Sequence, residues 1–279
     1  MKHIAWAMGL LLFLSGTRAE TFAASHYAKV NGLRMYYEIH GQGQPLVLLH
    51  GGGSSIQTTF GKVLPTLAKS YQIIAIEQQG HGHTADVDRP FRFESMADDT
   101  AELLRQLKIG KADIFGFSNG GTVALLLALR HPSQVKRLVL GSAIYSLDGI
   151  PKEIRESFKK PIGPQDIPAA LREDYLKNAP QPDKLPLQIQ KQMALLNSFE
   201  GIPESAMKTI SVPTLLLFGD HDLRLEHLLD MHRLLPHSRM AVIPGGHGAY
   251  IGEATSPSNP DMIEATLNIV KSFLAEKLP

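Results

Sequence analysis

The chain has 279 residues, enough for one large domain or a domain with an inserted lid. Its 28 Lys and Arg against 27 Asp and Glu leave no basic face for nucleic acid, and no long run of one charge occurs. The absence of cysteine excludes a disulfide framework, a thiolate metal site, a thiol nucleophile and a lipidated N-terminal cysteine.

Lys2 and His3 give a weakly positive start, Ile4 to Leu14 an apolar run, and Thr17-Arg18-Ala19 a small-residue exit. That layout is the one of a secretory signal peptide, with cleavage expected after Ala19 and with Ala23 and Ala24 as alternative sites. An apolar run of about eleven residues is too short to span a bilayer. Residues 1–19 therefore read as a removable leader, and the mature chain as exported, periplasmic or secreted, with no stable membrane insertion.

His26 to Val30 and Arg34 to Ile39 read as strands, and Asn31-Gly32 between them is a strong hairpin signal. Pro45 to Leu49 is fully apolar, as suits a strand buried on both faces, and ends in His50-Gly51-Gly52-Gly53. A helix is expected near Thr59 to Lys69, then a strand at Gln72 to Ile76, then a loop from Glu77 to Thr84. Ser95-Met96-Ala97-Asp98 has the form of a capping box, followed at helical spacing by Thr100, Leu103, Leu104 and Leu107. Next come a strand from Ala112 to Phe115, a turn, a helix from Thr122 to Arg130 and a strand from Arg137 to Leu140.

From Ser146 to Val212 the alternation stops, and eight prolines separate short helical pieces, as a helical insertion would show. Alternation resumes with a strand at Thr214 to Phe218, a helix near Leu225 to Leu235, a strand at Met240 to Ile243 and a helix near Asp261 to Glu276. The pattern implies an α/β fold with a mostly parallel, eight-stranded, doubly wound sheet. Residues 20–145 and 213–279 form its core and residues 146–212 a helical cap.

The turn after the Ala112 strand reads Gly116-Phe117-Ser118-Asn119-Gly120, the Gly-x-Ser-x-Gly spacing of a nucleophile elbow. A strand that bends abruptly into a helix leaves no room for side chains two positions either side of the serine. The Ser118 hydroxyl is thereby pushed out at the carboxyl end of the sheet, where open α/β folds place their sites. The Asn119 amide, in the first helical turn, aims at any oxyanion formed there.

With these residues the chain resembles the α/β-hydrolases from about Tyr27 to Leu274. Four motifs carry the resemblance: the Gly116–Gly120 elbow, His50-Gly51-Gly52-Gly53, Gly219-Asp220-His221-Asp222 and Pro244-Gly245-Gly246-His247. Each follows an expected strand, in the order serine, acid, histidine. The resemblance implies Ser118 as nucleophile, His247 as its base and Asp222, third after Gly219, as the acid; Asp220 and Asp148 remain as other carboxylates for that role. It implies Gly52 and Asn119 as oxyanion-hole amides, with Gly53 the alternative to Gly52.

His81 and His83 would make a metal pair only with a third ligand, which the sequence does not place; no metal and no cofactor is expected. Where the family commonly shows Asp-x-Arg-Gly-His-Gly-x-Ser, this chain has Glu77 and Gln79, which removes an expected structural ion pair. Ser118 excludes the branches with an aspartate nucleophile. Met193, Leu195, Leu196 and Phe199 are candidates for the pocket wall. The expectation is a serine hydrolase of a small-molecule ester or lactone. The same triad also serves C–C bond hydrolysis and cofactor-free perhydrolysis, and some hydrolase-like proteins are small-molecule receptors.

Overall fold

The computed structural model describes residues 24–277, so the leader read in residues 1–19 lies outside the described residues. Chain order begins with a hairpin, β1 (Ala24–Val30) and β2 (Leu33–His40). Its two turn residues, Asn31 and Gly32, both have positive φ, 46° and 83°, the twist that two-residue hairpins require. Then come β3 (Gln44–Leu49), the short helices α1 (Ile56–Phe60) and α2 (Leu64–Leu67), β4 (Tyr71–Ile76), α3 (Phe93–Gln106), β5 (Ala112–Phe117), α4 (Asn119–Arg130) and β6 (Val135–Gly141). Between β6 and the next strand lie α5 (Lys152–Ser157), α6 (Ala169–Asn178), α7 (Leu185–Ser198) and α8 (Glu204–Met207). The chain closes with β7 (Thr214–His221), α9 (Leu225–Leu234), β8 (Ser238–Gly246) and α10 (Pro260–Ala275).

The strands form one eight-stranded sheet in the order β1-β2-β4-β3-β5-β6-β7-β8. β2 runs antiparallel to both its neighbours, and every pairing from β4 to β8 is parallel. Strand residues alternate between two cores, as the pleat requires. Val47, Leu49, Ile114 and Leu216 pack with α3, α4 and α9 on one face. Leu46, Leu48, Phe115 and Leu217 pack with α1, α2 and α10 on the other.

Two local expectations are corrected. The single helix expected at Thr59 to Lys69 is two short ones, because Pro65 has no amide hydrogen with which to continue the ladder from α1. Ser95 does not cap α3, which starts at Phe93 with Arg92 as an uncapped N-cap. Burial of the Phe93 ring, edge-on to Phe199, draws the helix start back three residues. The capping box is made instead by Ser55 and Thr58 at α1, directly after the glycine run.

The 146–212 segment is held to the sheet unevenly. Lys191 on α7 reaches Asp86 Oδ2 at 2.6 Å and two carbonyls of the 87–89 loop. α5, by contrast, buries none of its residues.

Candidate active site

Four loops emerge from the carboxyl ends of β3, β5, β7 and β8. Parallel register brings these ends together: Leu49 pairs with Gly116, Phe117 with Gly141, and Gly141 with Leu217. At the end of β5, Ser118 adopts φ 53° and ψ −120°, a strained conformation for a residue with a side chain. The turn tolerates it because its flanks are bare. A Cβ on Gly116 would stand 2.2 Å from Gly120 O, and one on Gly120 would stand 2.0 Å from Leu49 O. The helix α4 begins at Asn119, three residues earlier than its propensities indicate, because the elbow geometry itself supplies the first turn.

Ser118, Asp222 and His247, far apart in sequence, meet here. His247 Nε2 lies 3.1 Å from Ser118 Oγ, and His247 Nδ1 lies 2.6 Å from Asp222 Oδ1. Since a carboxylate only accepts, Nδ1 carries the proton and Nε2 is free to accept the serine proton. The Phe117 ring lies 4.9 Å from the imidazole and backs it. Burial opposes the charge on Asp222, but the His247 ring, the Ser142 hydroxyl and the Gly219 amide outweigh it and hold the carboxyl below its usual range. Asp222 is therefore ionised at neutral pH.

The other two carboxylates are elsewhere. Asp220 is largely exposed, accepts from Gly245 N at 2.8 Å and faces His221, which braces the histidine loop from outside. Asp148 is exposed and pairs with Arg155.

The glycine run after β3 is pinned by two buried histidines. His50 Nδ1 donates to Gly51 O at 2.7 Å, and its Nε2 accepts from Gln78 N at 3.0 Å. His81 Nδ1 donates to Gln79 O at 2.9 Å, and its Nε2 accepts from Gly53 N at 3.0 Å. Burial pushes both imidazoles down, His50 to about 3 and His81 to about 4, so both are neutral. This distinguishes the glycines: the Gly53 amide is engaged by His81, while the Gly52 amide makes no intramolecular hydrogen bond among the described residues. Gly52 and Asn119 both line the cavity at Ser118.

His83 turns away from His81, to Glu77 Oε2 at 3.0 Å, so the two histidines do not share a ligand position. Gln79 occupies the place of the family's arginine and works as a gatherer of chain. Its Nε2 donates to Asp86 Oδ1 and to the Val87 and Arg89 carbonyls, and its Oε1 accepts from Arg89 Nε at 2.5 Å. The Gln79 amide thus joins the Lys191–Asp86 and Arg89–Asp99 ion pairs in holding the loop.

Above Ser118 is a cavity of about 440 Å³. Ile150, Ile154 and Phe158 form one apolar wall and Met193 and Leu196 of α7 another. Of the four apolar residues proposed for the wall, Met193 and Leu196 reach the cavity. Leu195 and Phe199 turn into the core beneath α7, where Phe199 meets Phe93. No lysine or arginine lines this cavity among the described residues. Sequence reasoning missed two polar neighbours. Gln192 lies beside Gly52, where a Cβ would come within 2.7 Å of its Nε2, and Ser142 lies against Asp222. Neither stands in a recognisable motif.

Comparison with known proteins agrees with this architecture. A family model described as the α/β hydrolase fold matches residues 44–200. The human serine hydrolase BPHL is 28% identical over 249 residues, covering 81% of this chain and 80% of that protein. The 2-hydroxymuconate semialdehyde hydrolase of Pseudomonas sp. (strain CF600) is 39% identical over 116 residues, covering 40% of this chain and 41% of that one. Among solved structures, the 2-hydroxy-6-oxo-6-phenylhexa-2,4-dienoate hydrolase from Rhodococcus sp. strain RHA1 superposes with a TM-score of 0.74 at 18% identity, over 92% of this chain and 100% of that one. The sheet order, the loops at its carboxyl edge and these matches together make the chain a member of the α/β-hydrolase family, and a hydrolase.

Proposed function

We propose that the protein is a serine hydrolase that cleaves an uncharged carboxylic ester or lactone through an acyl-enzyme on Ser118. The observation that carries the reading is the continuous line Ser118 Oγ, His247, Asp222 at the floor of a largely apolar cavity lined by no lysine or arginine among the described residues.

Ser118 attacks the carbonyl carbon while His247 Nε2 takes its proton, and Asp222 stabilises the resulting imidazolium. The oxyanion lies between the Asn119 and Gly52 amides, each such donor being worth on the order of a hundredfold or more in rate. His247 then protonates the leaving alkoxide. Water, deprotonated by the same ring, releases the acid and restores Ser118. Every step draws on side chains and backbone of this chain. The 146–212 segment serves as a cap whose apolar walls select the acyl or alcohol group.

The lining favours an ester over the substrate class of the C–C hydrolases it resembles. The Rhodococcus enzyme acts on a dienoate, an anion, and this cavity offers no lysine or arginine to hold one. An uncharged substrate enters it without an unpaired buried charge. We further propose that the protein works outside the cytosol, on the strength of the leader pattern in residues 1–19; N-terminal sequencing of the protein recovered from cell fractions tests this.

The test of the activity is labelling by a fluorophosphonate, mapped by peptide mass, beside turnover of p-nitrophenyl esters of increasing acyl length and of a ring-cleavage dienoate. The reading expects the label on Ser118, its loss in His247→Ala, and faster ester than dienoate turnover. Full ester turnover by Ser118→Ala, or a preference for the dienoate, would overturn it.

A further inference from the structure

We propose that Ser142 is a positioning residue for the acid of this site: its hydroxyl, oriented by Tyr250, holds Asp222 Oδ2 so that Oδ1 faces His247. The proposal rests on the serine-hydrolase reading above and concerns a side chain that the reading does not use.

The first observation is backbone strain. Ser142 follows β6, is 1% exposed and has φ 48°. Four non-glycine residues have positive φ among the described residues. Asn31 makes the hairpin turn, Lys108 follows the end of α3 and Ser118 is the nucleophile candidate. Ser142 makes neither a hairpin nor a helix end. Its backbone tie, N–H to Leu217 O at 2.8 Å, is one that glycine would make with less strain. A serine kept in a conformation that suits glycine points to a hydroxyl in use.

The second observation is a count of protons. Ser142 Oγ contacts Asp222 Oδ2, and Tyr250 OH lies 2.7 Å from Ser142 Oγ and 3.1 Å from Leu217 O. The two hydroxyls hold one proton each, and the other two oxygens only accept. Leu217 O already receives the Ser142 amide. If Ser142 donated to Tyr250, a hydroxyl lone pair would face a buried carboxylate anion. Were Tyr250 to donate to Leu217 O instead, its oxygen and Ser142 Oγ would face each other at 2.7 Å with no proton between them; the arrangement without either repulsion is Tyr250 O–H to Ser142 Oγ, and Ser142 O–H to Asp222 Oδ2. The other donor to Oδ2, Gly219 N, is long at 3.4 Å, so Ser142 is its close partner. A donor chain of this kind polarises each member and strengthens the last bond.

The deciding variant is Ser142→Gly, which deletes the hydroxyl and relaxes the backbone. The relieved strain offsets part of the lost hydrogen bond, so the variant is expected to fold, with a melting temperature within several degrees of wild type. With p-nitrophenyl butyrate, kcat is expected to fall about tenfold, the scale of one hydrogen bond to a charged acceptor, with KM within about twofold. The rate of fluorophosphonate labelling falls by the same factor. The low-pH limb of kcat/KM moves to higher pH, because Asp222, without that donor, leaves more negative charge facing the His247 imidazolium. Tyr250→Phe, which keeps the ring, is expected to give a smaller loss of about threefold with the limb moving the same way. Ser142→Ala repeats the kcat and labelling losses should the glycine variant be insoluble.

Wild-type kcat and labelling in Ser142→Gly would overturn the inference, as would a loss without movement of the pH limb. Ser118→Ala in the same assays separates the two readings. If it is inactive while Ser142→Gly is unimpaired, only the role of Ser142 falls; if it still turns over, the serine-hydrolase reading falls first.

Discussion

The structure makes opposite predictions for two adjacent glycines. On Gly52 a Cβ would stand 2.4 Å from Asn119 Nδ2 and 2.7 Å from Gln192 Nε2. Ordinary contact needs roughly 3.5 Å, so both carboxamides must withdraw by about 1 Å. Both are ends of flexible side chains, and the Gly52 backbone lies outside the left-handed region, so Gly52→Ala is expected to fold with a stability loss of about 1 kcal/mol or less. Its new methyl would stand in the proposed oxyanion hole, beside the Asn119 carboxamide. Removing one donor from such a hole costs on the order of 10²–10³ in kcat, and Gly52→Ala is expected near the lower end. On Gly53 the space is open, the nearest foreign atom being Leu171 Cδ1 at 3.9 Å, but φ is 69°. Gly53→Ala should therefore lose about 1 kcal/mol of stability through strain. Its amide already serves His81, so kcat should stay within a few-fold. Steady-state kinetics on p-nitrophenyl butyrate, with thermal melts of both variants, read the two effects separately. If Gly53→Ala loses more turnover than Gly52→Ala, the assignment of the oxyanion amide is wrong.

Three further outcomes are expected. Gly120→Ala drives a Cβ to 2.0 Å from Leu49 O, a backbone atom that cannot swing aside. Its cost should exceed about 3 kcal/mol and appear as insoluble protein or a collapsed melting temperature; a variant melting within a few degrees of wild type would refute the packing argument. Asp222→Asn should lower kcat on the order of a thousandfold or more by disrupting the tautomer of His247, while Asp220→Asn, at an exposed brace on Gly245, stays within about threefold; equal losses would reverse the assignment of the acid. Finally, burial holds His50, His81 and His227 neutral, pushed down to about 3, 4 and 4. Between about pH 6.5 and 4 the unfolded chain binds more protons at these sites, so their contribution to stability is full above that window and lost as pH falls through it. Glu77, His83 and Asp113, all raised, act in the opposite sense, while Glu38, Asp98 and Asp222, all lowered, act in the same sense as the histidines. The melting temperature should drop by several degrees from pH 7 to pH 5, and a flat profile would contradict the neutral histidines.

Local covalent and steric rules made much of the molecule legible in the amino-acid sequence. Asn31-Gly32 announces its hairpin because the turn needs two positive φ values, and Gly116-x-Ser118-x-Gly120 announces its elbow because the crossing backbones leave no room for a Cβ. Apolar runs bounded by turn residues located all eight strands, each to within a few residues at its ends. One error passed over a local signal, Pro65 inside the helix expected at Thr59 to Lys69; the other lay where a distant contact overrode a local preference, as burial of Phe93 against Phe199 moved the start of α3 past a well-formed capping sequence at Ser95.

Choices between near-equal neighbours belonged to the tertiary structure. Asp220 and Asp222 differ by two positions, and only the return of β8 beside β7 sets His247 against the second. Gly52 and Gly53 are chemically identical, and it is His81, arriving from the loop after β4, that occupies one amide and leaves the other. Ser142 and Gln192 carry no motif and owe their places beside Asp222 and Gly52 to strand register and to the docking of α7. Periodicity fixes which way a side chain faces within its own element; what it faces depends on chain folded back from tens of residues away, and that information is held in no local window of the sequence.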